Sequence, residues 1–140
     1  MSDVYSHIAS EIKGDNIAWI NVTNPLAESI IYTEAVELYN SIEPSYDCLL
    51  SSILLQENVF YEGEPVNFTP YPWPKSQDLK GLKSLTFVIN ILKRKDMVDW
   101  GSCVGNSPYF YELDKIDSWD IDDQADFDFC QFIYKQRFNK

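Results

Sequence analysis

The sequence predicts a mainly α to α+β fold: a single compact domain of about five helices with a few short strands, near 17–22, 58–68 and 109–113. Three observations lead there. Apolar residues recur at helical spacing in several stretches, Pro and Gly punctuate those stretches, and the β-prone runs between them are short. The 140 residues, 16.3 kDa, match the commonest size of one domain, and no linker-like segment divides residues 1–140. A chain this long buries roughly two-thirds of its unfolded surface and needs no disulfide or metal staple.

Taken in order, residues 3–13 place Val4, Ile8 and Ile12 on one helical face, and Gly14 stops the helix. Residues 17–22 form a short β-prone run. Asn24 and Pro25 read as the N-cap and first position of a helix to residue 42, with Ala27, Ile31, Ala35, Leu38 and Ile42 on one face. Beyond Pro44, the residues Tyr46, Leu49, Leu50, Ile53 and Leu54 predict a short apolar helix that completes a helical hairpin. Residues 58–68 predict an irregular or edge hairpin, because Pro65 donates no ladder bond. Pro70, Pro72 and Pro74 force the next segment to be extended, foremost as a loop over the core, with a surface groove or docking segment as the alternative.

Ser76 or Asp78 is then expected to cap the longest helix, which runs to about residue 98 with Leu82, Leu85, Ile89 and Leu92 on one face. Lys93, Arg94 and Lys95 fall near its C-terminal end, where cations complement the helix dipole. Residues 109–113 are β-prone, and a final helix is expected at 122–138. That helix is apolar on two sides, with Ala125, Phe129, Phe132 and Ile133 on one stripe and Phe127, Cys130, Tyr134 and Phe138 on another. A helix of this kind is either central to the core or turns one stripe to a partner, and a homo-oligomer through it is one arrangement the pattern allows.

Charge is unevenly spread. Residues 1–74 have a net charge of −10, residues 75–98 of +4 and residues 99–140 of −5, within a total of −11. Eight acids fall between Glu112 and Asp128, with Lys115 as the one cation among them. Phosphate binding relies on cations that displace counterions, so this balance argues against direct nucleic-acid binding and against anionic lipid. It favours fast encounter with a basic protein. The first residues lack a basic stretch followed by a long apolar one, and no apolar run is long enough for a bilayer, so a cytoplasmic chain is expected. Cys48, Cys103 and Cys130 are too widely spaced for a framework and read as reduced thiols.

Catalytic signals are weak. Gly101-Ser-Cys103-Val-Gly105 fits a cysteine form of the nucleophile elbow, but the one histidine, His7, lies upstream, whereas that chemistry places a histidine downstream. Residues 120–128 match an EF-hand loop for five positions, then offer Ala125 where glycine is needed and Gln131 where glutamate is needed. His7 and three scattered cysteines make no zinc pattern. The expectation is therefore no enzyme, no cofactor and no metal.

The remaining signal is the interleaving of acids with rings. Aromatic anchors and carboxylates together suit a surface rich in Arg and Lys. Tyr111, Glu112, Asp114, Asp117, Trp119, Asp120, Asp122, Asp123, Asp126 and Asp128 are the candidate partner-binding residues. The function class expected is an acidic protein-binding inhibitor, foremost a bacterial immunity protein that occludes the active site of a basic, nuclease-type toxin. A phage-type DNA mimic and an adaptor or scaffold are the alternatives.

Overall fold

The computed structural model describes residues 2–138. Its elements are α1 (Ser2–Glu11), β1 (Asn16–Trp19), α2 (Ser29–Ser41), β2 (Cys48–Leu55), β3 (Phe60–Tyr61), β4 (Glu64–Pro65), a 3₁₀ turn (Ser76–Asp78), β5 (Leu82–Lys93), α3 (Arg94–Trp100), β6 (Pro108–Glu112) and α4 (Gln124–Phe138). The main sheet has the order β1-β5-β2-β6. In it β5 runs antiparallel to β1 and β2, while β6 runs parallel to β2.

This overturns the expected fold class. The chain is α+β around a four-stranded mixed sheet, with four helices among the described residues. The segments that form the sheet centre, β2 and β5, are those the sequence pattern assigned to helices. Both are covered on both faces, so neither shows the in-out alternation of a half-buried strand. On one face Cys48, Leu50 and Leu92 pack with Ala9 of α1, Met97 of α3 and Cys103. On the other, Leu49, Ile89 and Ile91 pack against Ala35 of α2.

A bulge explains the false helical period in β5. The pairing with β2 jumps from Leu50–Asn90 to Ser52–Leu85, which inserts an odd number of extra residues into β5. An odd insertion reverses which face each side chain occupies. Leu85 and Phe87 therefore join the α1/α3 face although Ile89 and Ile91 line the α2 face. Phe87 sits in the left-handed region at φ 55, and its carbonyl accepts the Asn21 N–H at 3.3 Å. The buried Ser51 hydroxyl holds the bulge, accepting the Ile89 N–H at 3.1 Å and the Thr86 hydroxyl at 3.0 Å.

Three local expectations also change. Asn24 does not cap a helix; it is buried, and its amide donates to the carbonyls of Ser118 (3.2 Å) and Trp119 (3.3 Å). The α2 helix starts only at Ser29. Lys93, Arg94 and Lys95 stand at the start of α3, the end of a helix least favourable to cations, and are held by other bonds. The Arg94 Nε donates to the Gly14 carbonyl at 2.8 Å and Lys95 pairs with Asp99. At the far end of α3, Gly101 (φ 60) comes so close to α1 that an added Cβ would lie 3.0 Å from the Ser2 carbonyl.

Candidate partner-binding surface

Strand directions collect three loops at one end of the sheet. β1, β2 and β6 finish there and β5 begins there, so residues 20–28, 56–81 and 113–123 leave or enter the sheet together. These loops carry ten acids (Glu28, Glu57, Glu62, Glu64, Asp78, Asp114, Asp117, Asp120, Asp122, Asp123) and three lysines (Lys75, Lys80, Lys115). The segments at the opposite end, 12–15, 42–47 and 94–107, carry five acids and three cations. The sequence showed two acidic blocks far apart in the chain; the topology makes them neighbours.

Within this end, most of the expected binding residues have internal partners. The Tyr111 hydroxyl donates to Glu34 at 2.9 Å, and burial with that carboxylate pushes its pKa up to about 12. Glu112 pairs with Lys83. Asp114 accepts the Ile116 N–H at 2.7 Å and shapes the turn that follows. Asp117 pairs with Arg137 at 2.7 Å, tying the end of α4 to this loop. Trp119 is half-buried against Phe129, with ring centroids 4.4 Å apart, so it is not the projecting anchor the sequence implied.

Asp123 and Asp126 form a capping box at the start of α4. Asp123 accepts the N–H groups of Ala125 (2.8 Å) and Asp126 (3.1 Å), while Asp126 reaches back to the Asp122 and Asp123 N–H groups at 3.1 and 3.2 Å. Asp126 also accepts the Trp119 indole N–H at 2.9 Å. That bond first, then the backbone N–H bonds, holds its carboxyl below the usual carboxylate range. Asp128 accepts from Gln124 at 2.8 Å. Asp122 is exposed, and one oxygen of the half-buried Asp120 is shut from water without a partner. Asp120 lines a cavity of about 220 Å³ with Lys115, Thr86 and Phe87.

The projecting rings lie in the other acidic loop. Glu62 and Gly63, both at positive φ (50 and 87), make the two-residue turn between β3 and β4. Phe68 joins Phe60 and Trp73 edge to face, with centroids 5.1 and 5.4 Å apart. The base of this lobe is fixed by buried Asn67, which bonds the Val59 N–H and the carbonyls of Glu57 and Lys80. Outward stand Phe60, Tyr61, Tyr71 and Trp73, which are 56, 69, 92 and 66% exposed, with Glu57, Glu62 and Glu64 around them. Sequence reasoning placed residues 70–74 foremost in a loop over the core, with a docking segment as the alternative, and did not name these rings as binding residues. The available signal was three acids and five rings in a segment, 57–73, that has no cation.

Two further features complete the surface. The outer stripe of α4 exposes Phe127, Tyr134 and Phe138, beside an apolar groove of about 210 Å³ lined also by Pro25, Leu26 and Ile121. Cys103 of the Gly-x-Cys-x-Gly segment is buried in the core, with its sulfur 3.6 Å from the Asn90 amide nitrogen. Among the described residues, no three metal-ligating side chains gather, and no helix is long and apolar enough to cross a membrane.

The fold and this surface define a small α+β domain with a mixed sheet and one acidic, ring-bearing end. No protein-family model matches the chain, and no curated protein matches it either. Among solved structures it is similar to the bifunctional IspDF from Campylobacter jejuni, with a TM-score of 0.62 at 11% identity over 91% of this chain. The match spans 33% of that protein, so the chain corresponds to about a third of its length, and the likeness is one of fold.

Proposed function

We propose that the chain acts by binding a basic protein, as an inhibitor of a toxin of the nuclease type, rather than by catalysis. The observation that carries this reading is the meeting of exposed rings with Glu57, Glu62 and Glu64, which have no ion pair among the described residues, at one end of the sheet. Nuclease active sites are cationic because their substrate is anionic. An acidic plug would gain fast association from the charge and slow dissociation from the rings. The binding face of this proposal centres on Phe60, Tyr61, Trp73, Glu57, Glu62 and Glu64, with Asp114 and Asp122 of the neighbouring loop at its edge.

The test is co-expression with any basic, nuclease-type toxin that a neighbouring gene encodes, followed by gel filtration and stopped-flow binding. Rescue of growth and a stable complex are expected, with an on-rate that falls as salt rises. Phe60→Ala or Trp73→Ala should speed dissociation at least about tenfold, the range of an interface hot spot, with only a small fall in melting temperature from the lost packing on Phe68. No rescue and no complex would sink the proposal. Inhibition of several unrelated DNA-binding enzymes would point instead to a DNA mimic.

A further inference from the structure

The outer edge of β6 carries main-chain groups that nothing in the described residues uses. The Asp47 N–H bonds the Ser107 carbonyl at 3.0 Å and the Leu113 N–H bonds the Ser52 carbonyl at 2.8 Å. Both bonds point toward β2, so along β6 the odd-numbered residues face β2 and the even-numbered ones face outward. The N–H groups of Phe110 and Glu112 and the carbonyls of Pro108, Phe110 and Glu112 therefore line an open edge. Natural proteins shield such edges with proline or charge. Pro108 removes one donor, but at the first position of the strand, which leaves the rest of the edge available.

We propose that this edge takes an extended, basic segment of the partner as a fifth strand. The inference rests on the basic-partner reading above and adds how the partner is held. Main-chain bonds would fix the segment, as in other strand-addition interfaces, and side-chain charge would select it. Among the described residues, Glu34 and Asp114 flank the strand with no cation on either, and Glu112 ends it with only Lys83 opposite. Phe110, 38% exposed, offers an apolar contact for the alternate positions of the incoming strand. A second copy fits less well. Antiparallel β6 strands centred on Phe110 would set Glu112 against Pro108, leaving the Glu112 carbonyl without a donor, and would bring together two chains of net charge −11.

The probe is a fluorescent peptide of about six residues alternating lysine and valine, the usual length of a strand. Binding is read by anisotropy, and hydrogen exchange of the Phe110 and Glu112 amides by NMR. On binding, both amides should become protected. Phe110→Pro deletes an outward donor and no bond to β2, a change edge strands tolerate, and should weaken binding at least about tenfold. Phe110→Ala keeps the donor and should stay within a few-fold of the native chain.

Peptide that binds while both amides exchange freely, or that binds Phe110→Pro as well as the native chain, overturns strand addition and leaves the acidic-inhibitor reading standing. Absence of peptide binding at low salt overturns it too, while toxin rescue decides the broader reading separately. Protection without peptide, in a chain that sediments as a dimer, would assign the edge to a second copy and equally overturn the proposal. The exchange measurement on the native chain stands even if Phe110→Pro fails to fold.

Discussion

Two adjacent serines in β2 are expected to respond oppositely to the same substitution. Ser51 and Ser52 are both fully buried. The Ser51 hydroxyl accepts the Ile89 N–H and the Thr86 hydroxyl, whereas the Ser52 hydroxyl has no partner among the described residues. Ser51→Ala removes an acceptor and strands a buried N–H inside the bulge, a loss of about 2 kcal/mol. For a chain of this size that lowers the melting temperature by roughly 8 °C. Ser52→Ala removes a group that was desolvated without compensation, so stability should hold or rise by up to about 1 kcal/mol. Urea unfolding followed by circular dichroism and tryptophan fluorescence measures both. Equal losses for the two variants, or a larger loss at Ser52, would refute the assignment of Ser51 as the group that holds the bulge.

Two other responses follow from the titrating groups. The Asp126 carboxyl is held below its usual range by Trp119 and the backbone N–H groups, so the fold favours its ionised form. Its contribution is complete above the ordinary carboxylate pKa of about 4 and is lost as pH falls from there through the depressed folded value. The Trp119 indole N–H resonance should shift over that window, and Asp126→Asn should abolish the shift. Cys48, Cys103 and Cys130 are buried, and burial pushes the Cys48 thiol up to about 12 and raises Cys130. A disulfide reagent at neutral pH should label none of the three in the folded chain and all three in urea; rapid labelling of Cys103 would reopen a reactive role for it.

What was legible in the sequence was what depends on local signals. Gly14 ends α1's region, the β-prone runs at 17–22, 58–68 and 109–113 do contain strands, and acids mark the start of α4. What was not legible depends on contacts between distant segments. Leu85 and Leu92 lie seven residues apart, a spacing that reads as two helical turns. In a regular strand an odd spacing places side chains on opposite faces, and only the bulge opposite Ser51 brings both to the α1/α3 face. No local propensity reports that bulge, because its support comes from a serine on another strand. Likewise Asn24 has the side chain of a helix cap, but its amide serves carbonyls more than ninety positions away.

The acidic block at 112–128 was legible as charge and as the start of a helix, but not as a set of internally bonded carboxylates, although one signal was present. Asp123 and Asp126 stand three apart before an apolar run, the spacing of a capping box, and that alone assigns both to a helix start. Their internal bonds do not remove them from the electrostatics of the surface. Asp126, which accepts the Trp119 and backbone N–H groups, is stabilised in its ionised form and keeps its charge to lower pH than a free carboxylate. Asp117 differs, since Arg137 neutralises it. The capped acids and the free ones therefore act together on an approaching cation, while only exposed groups can touch it. On the proposed reading, this separation would assign long-range attraction to the 113–123 loop and α4 start, and direct contact chiefly to the Phe60–Trp73 lobe. Substituting Asp123 or Asp126 would lower the on-rate only by loosening α4 as well, whereas Glu57, Glu62 and Glu64 can be changed without cost to the helix.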